Sequence, residues 1–147
     1  MRTQQQEDTA ALADLLSRRL EAEWEWGRQP PDLLGVGIDL AERGTYAAFP
    51  DAWIRRAASR WLSPDERQWG TTQSSFREAV TVVLCCKEAA WKAWNAGTGA
   101  WNVALTISGD VGTGGAATAA WGTVRVEVEW LVSSGLILAL ARARRPM

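Results

Sequence analysis

Residues 76–95 read F-R-E-A-V-T-V-V-L-C-C-K-E-A-A-W-K-A-W-N, and the fold turns on how this stretch is read. Ser75 stands just before it and Glu78 follows three residues later, the spacing of a capping box. Gly97 stands just beyond it, a residue at ease in the left-handed conformation that often follows a helix end. Between these marks lie good helix formers with no Pro or Gly, so the pattern predicts one long helix. Val80, Val83, Leu84, Trp91 and Trp94 make much of its circumference apolar. Lys87, Glu88 and Lys92 set a compact charged group into that surface, and Glu88 and Lys92, four apart, share a face. Glu–Lys pairs at this spacing are commonly solvated ornaments. Charge beside so much apolar surface nevertheless needs partners, because burying an ion alone is costly.

A second acid stands far upstream. Residues 33–40 read L-L-G-V-G-I-D-L, a short apolar run flanked by Pro and Gly. It reads as a buried strand with two glycines where another backbone or a ligand comes close. The dinucleotide fingerprint is ruled out, since the third Gly and the following helix start are missing. Asp39, buried alone in such a strand, would be disfavoured as an anion, so it needs a cation, a metal or several donors.

The remaining chain supplies the frame. Residues 8–26 read as an amphipathic helix, with Leu12, Leu15, Leu16, Leu20 and Trp24 at helical spacing. Arg28-Gln29-Pro30-Pro31 breaks it, leaving a capping element or docking helix ahead of the main domain. Residues 46–61 read as a second helix with Phe49, Trp53, Ala57 and Trp61 as its apolar face and Arg55, Arg56 and Arg60 solvated. Ser63-Pro64-Asp65-Glu66 gives an N-cap, a Pro at the first helical position and a capping-box Glu, opening a short helix to about Trp69. Residues 101–107 read as a strand, and residues 109–115 as a hairpin connection or flap. That glycine-rich piece lacks the Lys and Ser/Thr of a phosphate loop. Residues 123–131 alternate Val124, Val126 and Val128 with Arg125, Glu127 and Glu129, a half-buried strand. Residues 136–141 form a continuous apolar strand after the turn at 133–135. The order predicts an α+β domain, helices packed on a mainly antiparallel sheet.

Composition narrows the chemistry. The chain has 147 residues, 47% hydrophobic and 22% charged, which suits one compact domain. A net charge of −1 makes no case for a nucleic acid partner, and no apolar run is long enough to cross a bilayer. The amino terminus has no apolar signal core, so a cytoplasmic location is expected. Cys85 and Cys86 are adjacent in the helix, point apart and read as small core residues in a reducing compartment. With no histidine, triads, Cys–His pairs and His-ligated zinc are excluded. Acid–base work falls to carboxylates, Lys or water. Trp is used 10 times against Phe 2 and Tyr 1, bulky amphipathic residues for a core or an interface.

Three blocks, G-V-G-I-D-L-A-E (35–42), R-W-L-S-P-D-E (60–66) and K-E-A-A-W-K-A (87–93), resemble in order and spacing the 4'-phosphopantetheinyl transferases, closest to the short holo-acyl-carrier-protein synthase type. Residues 1–31 read as an N-terminal helix and linker, and the resemblance implies residues 32–147 as the transferase-like domain. It implies transfer of the phosphopantetheine arm of coenzyme A to a serine of an apo acyl carrier protein of fatty-acid or polyketide type, with release of 3',5'-adenosine diphosphate. Asp39 and Glu88 fall at the family's metal-binding acids and would hold one Mg²⁺, an ion that takes few oxygen ligands from protein and the rest from phosphate and water. Lys87 and Lys92 match helix lysines near the coenzyme A phosphates, and Lys92 would add a positive contact beside the metal. The serine proton would pass to Glu88 or to a metal-bound water. Glu42 follows the short, trimeric class; the larger pseudo-dimeric class carries its second acid where this chain has Ala41. The chain departs from the family at Val83 (Arg in many members), at Ser133-Ser134 (commonly Ser-His), at the carboxy-terminal Gly-Lys/Arg-Pro turn, and at the bulky Trp91 and Trp94. The alternative function is a homologue without transfer activity, a carrier-protein-binding or Trp-lined small-molecule module.

Overall fold

The computed structural model describes residues 3–23, 31–94, 102–133 and 135–146. The elements run α1 (Gln4–Glu23), β1 (Leu33–Glu42), α2 (Asp51–Trp61), α3 (Pro64–Thr71), α4 (Phe76–Ala93), β2 (Thr106–Asp110), β3 (Gly114–Trp121), β4 (Val124–Ser133) and β5 (Leu136–Arg144). The strands form one antiparallel sheet in the order β1-β5-β4-β3-β2. The α+β class expected from the sequence is the observed one.

Strand alternation divides the sheet into two faces. Inward lie Ala139, Ala141 and Ala143 of β5, Val126, Val128 and Trp130 of β4, and Ala117 and Ala119 of β3, all buried with α4 residues Ala79, Val82, Cys85, Cys86, Ala89, Ala90 and Ala93. The helix is buried on nearly every side, including Val80 and Val83, which pack with Ile54, Ala58 and Leu62. Small side chains on both surfaces let helix and sheet come close. Gly35 and Gly37 carry this furthest: a Cβ at Gly37 would stand 2.0 Å from the Ala89 carbonyl oxygen, and one at Gly35 2.1 Å from that of Ala93. Of the two neighbours their spacing allowed, a backbone or a ligand, the glycines admit a backbone. The next inward position on β1 is Asp39, so the close approach delivers that acid to the flank of α4.

On the outward face, Leu12 of α1 packs on Leu136 and Leu138, with Leu15 and Ile38 beside them. Leu40, further along the same face, is 51% exposed. Predicted positions Trp24, Asn95, Gly97, Trp101 and Ser134 lie outside the described residues, as do the side chains of Leu16 and Leu20.

Several boundaries differ from expectation, each for a local reason. The second helix starts at Asp51, not at residue 46, because Pro50 takes the N-cap in an extended conformation. Its buried face is Ile54, Ala57 and Ala58; Phe49 is 39% exposed and makes an aromatic cluster with Tyr46 and Trp53. The capping box at Ser63–Glu66 forms in full. At Ser75 only the hydroxyl half forms, while the Glu78 carboxylate pairs with Arg43 at 3.1 Å. Residues 102–105 are not a strand: the Val103 carbonyl and the Leu105 N–H bond to side chains of α4 and α3. The glycine-rich 109–115 piece is the expected hairpin connection, although its ends belong to the strands: 109–110 close β2, 111–113 turn and 114–115 open β3. β3, rich in Ala and Gly, is a strand that its composition concealed.

Candidate active site

Thr81, Leu84, Cys85 and Glu88 recur at i, i+3, i+4 and i+7, and so line one face of α4. That face forms one wall of a cavity of about 480 Å³. Asp39 and Ala41, the successive inward residues at the end of β1, form the opposite wall, and Thr45, Tyr46 and Trp61 close it. Asp39 and Glu88, separated by 49 positions in the chain, thus face the same space. Ala41 stands at the neighbouring inward position, while Glu42 turns to the outward side. Lys92, one further turn along α4, reaches back to β1. Its ammonium donates to Asp39 Oδ1 at 3.0 Å and to the Ile38 carbonyl at 3.1 Å. The pair is open to water at one side, the Lys92 side chain being 42% and that of Asp39 21% exposed.

The segment carrying Thr45 and Tyr46 is held by Arg77, whose guanidinium donates to the Tyr46 carbonyl at 2.6 Å, to the Phe49 carbonyl, and to Asp51. A single arginine at the start of α4 therefore fastens the irregular wall of the cavity to its helical wall. Nothing in the sequence marks this role, because its partners are mainly backbone carbonyls of a distant turn. Cys85 lies in the wall almost fully covered, its thiol 3.6 Å from the Asp39 carbonyl oxygen. Burial is the chief cause that pushes both cysteine thiols well above their usual range.

Lys87, which the resemblance places near the coenzyme A phosphates, lies in a buried network away from the cavity wall. Although next to Glu88 in sequence, it leaves the helix some 100° away and points to α3. It is 1% exposed, and its ammonium donates to Glu66 Oε1 at 2.9 Å, Asn102 Oδ1 at 2.8 Å and the Val103 carbonyl at 2.5 Å. An ammonium has three protons to give, and all three are taken. Burial pulls its pKa below the ordinary lysine value, with the Glu66 carboxylate acting in the opposite sense. Glu66 was read from the sequence only as a cap. Val83, where relatives of the resembling family often carry Arg, is fully buried among Ile54, Ala58, Leu62 and Val80.

Chemically, the cavity offers two hard carboxylate donors and one ammonium, on two rigid elements. Among the described residues no cluster of three or more Asp, Glu, Cys or His side chains exists that could cage a metal by itself. Two carboxylates fit an ion such as Mg²⁺, which completes its octahedron with water and substrate phosphate. They do not suit a metal that needs a full protein cage.

Comparison with known families bears on the same residues. A family model described as the 4'-phosphopantetheinyl transferase superfamily matches residues 35–141, from the first glycine of β1 into β5. That span contains Asp39, Glu88 and Lys92 and leaves α1 outside. No curated protein matches the chain.

Proposed function

Because the chain belongs to the 4'-phosphopantetheinyl transferase superfamily, a superfamily of transferases, we propose that it is a holo-acyl-carrier-protein synthase acting in the cytoplasm. Its donor is coenzyme A and its acceptor a serine of an apo acyl carrier protein of fatty-acid or polyketide type. The observation that carries this reading is the meeting of Asp39 and Glu88 across one cavity, with Lys92 at its rim.

The chain's own groups divide the work. Asp39 and Glu88 would hold Mg²⁺, which when bound neutralises charge on the pyrophosphate of coenzyme A. Lys92, hydrogen-bonded to Asp39 and partly exposed, is free to swing one of its donors onto the same phosphates. The serine oxygen attacks the phosphorus next to the pantetheine arm. A new P–O bond forms, the bond to the bridging oxygen breaks, and 3',5'-adenosine diphosphate leaves with the electron pair. The serine proton passes to Glu88 or through a water to it. The Arg55, Arg56 and Arg60 side chains line an exposed groove on α2, beside Trp61 of the cavity, and suit an acidic carrier surface. A homotrimer is the assembly expected for the short class.

Incubation with coenzyme A, Mg²⁺ and a panel of apo carrier proteins tests the reading by mass spectrometry. One phosphopantetheine is expected on one carrier serine, and Asp39→Ala and Glu88→Gln are expected to reduce the rate at least a hundredfold while leaving the circular dichroism unchanged. Absence of any mass gain across the panel would remove the transferase assignment in favour of a binding module, and full activity in either variant would remove the metal assignment.

A further inference from the structure

Glu66 and Lys87 form an ion pair with 0% and 1% of their side chains exposed. Glu66 Oε1 accepts from the Ser63 N–H at 2.7 Å as well as from Lys87, and Oε2 accepts from the Leu105 N–H at 2.6 Å. Lys87 in turn is bound to Asn102 and to the Val103 carbonyl. One network thus joins the N-cap of α3, the middle of α4 and the segment leading into β2, and each donor of the ammonium has an acceptor.

Stability alone is a weak reason for such a network, since apolar residues of the same volume commonly serve a core as well or better. Direction is a stronger one. The surface α4 turns to the sheet is made of Ala, Val and Cys, small side chains whose apolar contacts are non-directional. Charge-assisted hydrogen bonds lose strength quickly with angle and distance, so they fix rotation where that apolar surface does not. Glu88 is the next residue, and any rotation of α4 at Lys87 is carried to it undiminished.

We infer that Glu66 and Lys87 are positioning residues: their buried pair sets the rotation of α4 so that Glu88 faces Asp39 across the cavity. The catalytic meaning rests on the transferase reading; the mechanical one does not. The test is the charge-free pair Glu66→Gln/Lys87→Met, with two readouts taken far below the unfolding transition. The first is transfer kinetics. The second is the rate at which an aromatic disulfide reagent labels Cys85, which lies one turn before Glu88 in the cavity wall.

The expected result is a folded protein with kcat lowered about tenfold or more, KM for coenzyme A within about threefold, and Cys85 labelled about tenfold faster. Wild-type labelling in the folded double variant overturns the proposal whatever kcat does, and faster labelling with wild-type kcat overturns the catalytic role. If the wild type transfers to no carrier, labelling alone decides the mechanical claim and the transferase reading falls separately. Should the double variant not fold, Asn102→Ala removes one acceptor of Lys87 from an exposed position. It is expected to move kcat and labelling the same way by about threefold, and wild-type values for both would overturn the proposal.

Discussion

Lys92 spans the gap between α4 and β1 and is the side chain on which structure and chemistry separate most cleanly. Its bonds to Asp39 and to the Ile38 carbonyl lie at a partly exposed rim, where an ion pair contributes about 0–1 kcal/mol. On the proposed mechanism, its place beside Asp39 and the coenzyme A pyrophosphate would give it far more leverage on a transition state. Lys92→Met is therefore expected to shift the urea midpoint of unfolding by less than about 1 kcal/mol equivalent, yet to lower kcat about a hundredfold. Lys92→Arg, which keeps the charge, should recover part of the rate. A loss of stability equal to the loss of activity would make Lys92 a structural residue. Asp39, Glu88 and Lys92 were legible as residues of interest because acids and amines are conspicuous in apolar stretches. Lys87 was conspicuous for the same reason, but its buried network with Glu66, Asn102 and Val103 was not legible. Its partner, Glu66, is 21 positions away and was already accounted for as a cap, so the sequence left the ammonium without a visible acceptor.

At the scale of elements, the approach of α4 to β1 builds the cavity, and two glycines permit it. Gly37→Ala would drive a methyl group to 2.0 Å from the Ala89 carbonyl oxygen and 2.9 Å from Lys92 Cβ, contacts that only a shift of the helix relieves. Overpacking of this kind costs about 1–3 kcal/mol. Since the shift moves Glu88 away from Asp39, kcat is expected to fall further than the loss of stability explains. Calorimetric melting and transfer kinetics on the one variant check both, and unaltered values for either would mean that the helix has room to spare. The strand–glycine reading anticipated this contact, because Gly-x-Gly places both gaps on one side of a strand. The same reasoning missed β3, whose Gly and Ala residues carry little strand preference of their own. They are held as a strand by pairing with β2 and β4.

At the scale of the whole molecule, α4 occupies the inward face of the sheet and α1 covers part of the outward one, so β5 is buried on both sides and apolar from Leu136 to Ala141. Burial also couples stability to pH through Cys85 and Cys86. Their thiols titrate near 9.0 when exposed and are pushed above that value in the fold. Above about pH 9 the folded state therefore holds more protons than the unfolded one, and stability falls as pH rises, by up to about 1.4 kcal/mol per pH unit for each thiol. Lys87, whose value is lowered, acts oppositely below 10.5, so the thiol contribution is read as a difference. Urea unfolding from pH 8 to 10.5 is expected to fall more steeply for the wild type than for Cys85→Ala/Cys86→Ala. Parallel curves would mean that the thiols are not shielded. The sequence by itself determined the periodicities: the long buried helix, the alternating and continuous apolar strands, the Ser63 cap, the two glycines and the acid that follows them. Those are patterns among neighbours along the chain, legible from local sterics and hydrogen bonding without knowledge of the packing. Only the tertiary structure decided that Asp39 and Glu88 share a cavity, that Arg77 braces its wall, and that Lys87 belongs to Glu66. Each depends on the rotation of one helix against a sheet, which is set by contacts between segments that the chain keeps far apart.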